Sequence, residues 1–163
     1  MTSLSFSWAL RYQGWAFCTI ADSGGRAECI ASDITHGPEQ FLRAVTAIAE
    51  GGASARAEFE GEPTVFRWFF IRDGSAATVR LVKAPDRDSP DTDGQVIWSG
   101  CHPVPALARA VLAGFDQAVS ELGEAAYRAQ WGRPFPRGDV EALRNTAQQL
   151  ADRPQATSHD ASP

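Results

Sequence analysis

Four groups of residues in this chain combine types and spacings that could do chemistry. The first is the acidic run Asp86-Arg87-Asp88-Ser89-Pro90-Asp91-Thr92-Asp93-Gly94. Hard cations take several oxygen ligands from one short loop, so the run invites a calcium reading. The calcium loop of an EF-hand needs acid or amide side chains at alternate positions before its glycine and a glutamate later. Ser89 stands at the first of those positions and Gly100 at the last, so the pattern fails and a solvated connection is expected. The second group is Cys101-His102. A base must reach its nucleophile in space, and neighbours in sequence usually point apart, so a strand-end thiol and an imidazole explain the pair as well. The third is Glu58 and Glu60 on one strand face, with Glu62 at the following turn. Paired carboxylates do acid–base work when their surroundings separate their pKa values. With Ala57 and Phe59 on the other side, a wet face is the simpler reading; a cluster of like charges also suits a basic partner.

The fourth group is aromatic: Trp8, Trp15, Trp68, Trp98 and Trp131. Tryptophan is enriched at interface hot spots and is also an ordinary filler between sheet and helix. Most of these rings are expected in the core. Trp98, beside the acidic run, and Trp131, before Gly132-Arg133-Pro134-Phe135-Pro136, are expected to be partly exposed. Gly24-Gly25 and Gly51-Gly52 match no phosphate-loop pattern.

Composition bounds the partners. The 163 residues suit one domain, and 44% hydrophobic with 21% charged residues is ordinary for a globular chain. The formal net charge is -5, with Lys83 the one lysine and the arginines scattered. Phosphate binding needs a concentrated positive face, so nucleic acid is excluded as a partner. No apolar stretch approaches the length of a membrane span, and the first residues lack the basic-then-apolar pattern of an export signal. Cys18, Cys29 and Cys101 make an odd count without CxxC spacing, which points to reduced thiols and a cytoplasmic location. The three histidines are spread apart, so neither a metal nor another cofactor is expected.

These residues need elements to position them. Phe6, Trp8, Leu10 and Tyr12 alternate with Ser5, Ser7, Ala9 and Arg11, a half-buried strand. Gln13-Gly14 is a turn, Trp15 to Ala21 a second strand, Asp22 to Gly25 a hairpin signal, and Ala27 to Ser32 a third strand. Pro38 suits a helix start, and Phe41, Leu42, Val45, Ile48 and Ala49 share one helical face before Gly51-Gly52. Strands resume at Ala55 to Glu60 and Thr64 to Arg72. Asp73-Gly74 predicts a two-residue turn into Thr78 to Lys83, and Gln95 to Ser99 follows. The segment Val65-Phe66-Arg67-Trp68-Phe69-Phe70-Ile71 is apolar on both faces, broken by Arg67. Such a strand is either covered on both sides or keeps one face for a partner; burial of both sets is expected. The back half is helical. Leu107, Ala108, Val111, Leu112, Phe115, Val119 and Leu122 form the clearest stripe, Glu124 to Trp131 makes a short helix, and Asp139 to Ala151 the last one.

Trp15 after a Gly turn, Glu62-Pro63 before Arg67-Trp68, Asp73-Gly74, and then Tyr127, Trp131 and Phe135-Pro136 resemble a diffuse group of small uncharacterised actinobacterial α+β proteins, some of them immunity-like. The resemblance spans roughly residues 5 to 150. It implies a binding role without catalytic chemistry.

The expected fold is α+β: a single antiparallel sheet of six or seven strands with helices packed on it, three strands, a helix, three or four strands, then three helices. The first and long helices would cover one face, and the C-terminal helices an end or part of the other. Residues 1–152 form the domain and 153–163 a disordered tail. The expected function is a cytoplasmic, non-enzymatic protein–protein interaction module, immunity-like or chaperone-like, that occludes a partner; self-association as a homodimer fits too. The alternative is a small-ligand binder with a pocket between sheet and helices. Trp98, Asp88, Asp91, Trp131, Arg133 and Phe135 are the candidate partner-binding residues, with no catalytic, cofactor or metal residues assigned.

Overall fold

The computed structural model describes residues 3–153. Most of the expected tail lies outside the described residues. Two antiparallel meanders dominate, each built from local hairpins. The small sheet is β1 (Ser5–Tyr12), β2 (Trp15–Asp22) and β3 (Gly25–Ser32), paired in the order β1-β2-β3. Helix α1 (Gly37–Ala49) follows. The large sheet is β4 (Ser54–Glu60), β5 (Val65–Asp73), β6 (Ala76–Ala84) and β7 (Gln95–Pro103), paired in chain order. Helices α2 (Val104–Leu122), α3 (Glu124–Trp131) and α4 (Arg137–Asp152) complete the α+β chain.

The single sheet expected from sequence is therefore corrected to two. The reason lies at the sheet edges. To join the meanders, β3 would have to pair with β4 or β7. The edge of β4 is occupied by α1, whose Gln40 Oε1 accepts the Glu58 N–H at 3.3 Å. The far edge of the small sheet is closed by α2: Gly114 lies so near β1 that a Cβ there would sit 2.7 Å from the Phe6 carbonyl oxygen. Covering an edge with a helix prevents stray strand pairing. β3 meets the large sheet through side chains instead, with Trp98 at Gly25 and Ile30 beside Gly61.

The inner faces of both sheets and the apolar faces of α1 and α2 bury one continuous core. Phe41 of α1 stacks on Phe6 at 5.0 Å and meets Trp68 edge-on at 4.9 Å, so one helix ring bridges the two sheets. Trp8 packs against Phe59, Phe115 and Trp131, and its indole N–H donates to the Tyr127 hydroxyl at 3.0 Å. Offset and edge-on aromatic pairs add to the stabilisation from burial alone. The C-terminal helix differs from expectation. α4 packs on α1 and α2, not on a sheet face, through Leu143 and Val140 and the ion pairs Arg43–Asp139 and Arg144–Asp116.

Two turns place side chains that matter below. The register of β1 against β2 shifts between Leu10 and Tyr12. A bulge re-aims the next side chain. Tyr12, expected beside Phe6 and Trp8, emerges on the opposite face, 66% exposed. The β5–β6 turn is Gly74-Ser75, one residue later than expected, because Asp73 already pairs with Ala76. Gly74 takes the positive φ of 61° that this tight turn needs.

Candidate functional site

The chemistry-bearing residues fall into three places. At the seam between the sheets, His102 on β7 bonds Asp22 at the end of β2, Nε2 to Oδ2 at 2.8 Å, and both side chains are buried. Asp22 Oδ1 also accepts the backbone N–H groups of Gly24 and Gly25. Burial pushes the Asp22 carboxyl up, but the His102 hydrogen bond and the two backbone donors outweigh it and hold it below the usual carboxylate range. The Trp98 ring lies parallel to His102, and its Nε1 donates to the Gly25 carbonyl at 3.3 Å. Gly100 lies between them, where a Cβ would sit 2.7 Å from Asp22 Oδ2. Cys101 is exposed on the other face of β7, so Cys101 and His102 do not form a nucleophile–base pair. The seam is a clamp.

The second place is the outer face of the large sheet. Arg67, the residue that interrupts the apolar pattern of β5, is 2% exposed there. Its Nε donates to Glu58 at 2.7 Å, and its two terminal nitrogens donate to the carbonyls of Pro90 and Arg87 at 3.2 Å each. Arg56 grips Asp91 with two hydrogen bonds of 2.9 Å, which hold the Asp91 carboxyl below its usual range. Arg87 reaches Glu60 at 3.2 Å. The acidic run is thus a strap, tied over β5 and β6 by guanidinium–carboxylate and guanidinium–carbonyl bonds. Val65, Val82 and Ala84 are buried beneath it. The same strand, farther on, is uncovered: Phe69 is half-buried and Ile71 is 54% exposed. Burial of both β5 sets therefore holds for the inner set and for the first half of the outer one.

The candidate partner-binding residues divide into three groups with separate contacts. Trp98 is buried in the seam, and Trp131 and Phe135 are buried at the α3–α4 link, which corrects the expected exposure of the two tryptophans. The cause is local. Trp131 packs edge-on against Trp8, and Phe135 against Tyr127. Arg133, beside them, donates to the Asp33 carbonyl at 2.7 Å and contacts the His36 ring. Asp91 is held by Arg56, and Asp88 is exposed at the strap with no ion pair among the described residues. Among the described residues no three His, Cys, Asp or Glu side chains come together as metal ligands do. Cys18 and Cys29 face each other, buried and unbonded, on β2 and β3, and burial pushes the Cys18 thiol up.

The third place is the outer face of the small sheet. Exposed Tyr12 and half-buried Trp15, Phe17 and Ile30 line a shallow, mostly apolar concavity of about 410 Å³. Phe17 pairs with Ile30, and Tyr12 lies 6.0 Å from Phe17, ring to ring. The Arg11 guanidinium lies 4.8 Å over the Phe17 ring. Gly14 N–H and the Gln13 side chain bond the Gln130 and Ala129 carbonyls at the end of α3, so the turn carrying Tyr12 and Trp15 is anchored. Among the described residues this face is approached by the Gly61 turn, whose Cβ position lies 3.5 Å from Ile30, and by the Arg11 side chain over Phe17. A signal for it was present: in Trp15 to Ile20, Trp15 and Phe17 alternate with Ala16, Cys18 and Ile20, so β2 is apolar on both faces as β5 is. Tyr12 had no such signal, because the bulge that turns it outward is set by pairing.

Comparison with protein-family models, with curated proteins and with solved structures finds no match to this chain. No helix among the described residues is long and apolar enough to cross a membrane.

Proposed function

We propose that the chain is a protein-binding module that occludes a partner through the outer face of the small sheet. The observation that carries this is the apolar cluster of exposed Tyr12 with half-buried Trp15, Phe17 and Ile30 beside an anchored turn. Contiguous aromatic surface on a rigid scaffold marks interaction sites, because docking removes it from water with little ordering of the binder. The resemblance to immunity-like proteins supports the same reading. The free thiols, two of them facing each other unbonded, fit a reducing compartment such as the cytoplasm.

The test is capture from an extract of the source organism, followed by gel filtration of the purified pair. Y12S/F17S removes the face, and I71S is the control on the other sheet. A one-to-one complex that survives I71S and is lost at least tenfold with Y12S/F17S, with melting temperatures alike, is the expected outcome. Retention of the complex by Y12S/F17S sinks the proposal. A second reading, a small-ligand binder, draws on a concavity of about 560 Å³ at the root of the strap, lined by Thr64, Lys83, Asp93 and Gln95 among others. It lies on the surface, away from the filled space between sheets and helices.

A further inference from the structure

We infer, resting on the docking face proposed above, that this face is gated by pH: protonation of His36 frees Arg133 and loosens the junction that anchors the turn between Tyr12 and Trp15. Three chain segments meet at this junction. Asp33, between β3 and α1, donates its backbone N–H to the Gly14 carbonyl at 2.9 Å, and its own carbonyl accepts from Arg133 Nε at 2.7 Å. The Asp33 carboxylate lies 3.1 Å from the Cβ position of Gly14 and 2.6 Å from that of Gly132. Gly14 N–H in turn donates to the Gln130 carbonyl at 2.8 Å. Arg133 therefore reaches the turn that carries Tyr12 and Trp15 through a single residue, Asp33.

His36 decides where Arg133 sits. Arg133 Nη1 lies 2.9 Å from His36 Nε2 and 3.3 Å from Nδ1. A guanidinium only donates, so the imidazole nitrogen it meets carries a lone pair, and His36 is neutral in this arrangement. The ring has a second partner in the first turn of α1. Glu39 Oε2 lies 3.8 Å from His36 Nδ1, is buried, and has no hydrogen-bond partner among the described residues. A proton on His36 fills the accepting nitrogen, sets two cations in contact, and offers the Glu39 oxygen the donor it lacks. The ring thus holds Arg133 when neutral and Glu39 when charged, a two-state element biased by one proton. Its side chain is 63% exposed, so the proton arrives from solvent without unfolding. The other charges around the pair come from neighbouring elements. Asp139 on α4 is paired with Arg43 at 2.9 Å. Burial pushes the Glu39 carboxyl up against the pull of its own backbone N–H, His36 and Arg133, and Asp139 adds to the push. Burial also pushes the Tyr127 hydroxyl up, so that group of α3 stays neutral beside Glu39.

The test is NMR of the full chain between about pH 8 and 5, the range in which an imidazole takes up its proton. The amides of Gly14, Trp15 and Asp33 and the Arg133 Nε–H are expected to shift in one step, the Nε–H signal broadening as its carbonyl partner is lost. H36N can still accept from Arg133 but cannot become a cation, and it should abolish the step with the melting temperature unchanged. E39Q removes the anion that holds the charged ring and should move the step to lower pH. Capture of the partner should fall severalfold at about pH 5.5 against about pH 7.5 in the native chain and stay level in H36N. No step at these amides, or a step that persists in H36N and so belongs to another group, overturns the inference and leaves the docking face standing. So does capture that falls equally in the native chain and in H36N. Retention of the complex by Y12S/F17S refutes the docking face itself, and with it the gate, even where H36N abolishes the step.

Discussion

The outer faces of the two sheets begin from the same kind of strand and end differently. β5 and β2 are both apolar on both sides. Over the first half of β5 the chain supplies its own cover, since the strap crosses it and Arg67 beneath exchanges water for Glu58 and two strap carbonyls, while Ile71 farther on stays exposed. On the small sheet no such strap is tied down among the described residues, and Tyr12 is exposed beside half-buried Trp15, Phe17 and Ile30. An apolar second face is therefore not in itself a sign of a binding site. What separates the two faces is how much of each the chain itself covers.

The difference is sharpest at the two arginines. Arg67 is buried and holds the strap, whereas Arg11 lies exposed on Phe17. Arg67→Ala leaves the carbonyls of Pro90 and Arg87 without their donor and Glu58 with Arg56 alone, and should cost about 3 kcal/mol in chemical denaturation. Arg11→Ala should cost about 0.5 kcal/mol or less. Equal costs would mean that the two faces are not covered to different degrees.

A smaller effect tests the cover itself. Asp91→Asn weakens one anchor of the strap, and the Arg56–Asp91 pair is half exposed, so the loss should be about 0.5 kcal/mol. Hydrogen exchange should nevertheless speed up in the strap and in β6 while the small sheet is unchanged. Unchanged exchange in the strap would show that Arg67 and the Arg87–Glu60 pair hold it without Asp91.

The smallest effect concerns the seam joining the two regions. The Asp22 carboxyl is held below its ordinary value in the folded chain. Its contribution to stability is therefore complete above the ordinary aspartate pKa, near about 3.9, and is lost as pH falls through the lower folded value. Melting temperature against pH between about 2 and 6 should fall more steeply for the native chain than for Asp22→Asn, the two curves converging at the acid end. Parallel curves would remove Asp22 from the clamp. Glu39 acts in the opposite sense, since burial pushes its carboxyl up, and its penalty is relieved as the pH falls.

Much of the fold was legible from residue order. The hairpins at Gln13-Gly14 and Asp22 to Gly25, the helix opened by Pro38 and the stripe from Leu107 to Leu122 depend on neighbours within a few positions, and period and turn chemistry report such contacts directly. The candidate site was less legible. Tyr12 follows the alternation of β1 until a register shift, set by β2, turns it outward. Trp131 looked like a ring beside a Pro-rich loop, and only the approach of Trp8 from the other end of the chain buries it.

The sequence alone determined the elements, their order, the antiparallel pairing within each meander and the absence of a concentrated cationic surface. Only the tertiary structure decided that there are two sheets, because α1 had to lie along β4 before that edge was closed to β3. It alone decided which second apolar face is covered, because the strap docks through long-range pairs, Arg67 with Pro90 and Arg56 with Asp91, that leave no local pattern. Local signals come from contacts a few residues apart, whereas exposure is a property of whatever the rest of the chain leaves uncovered.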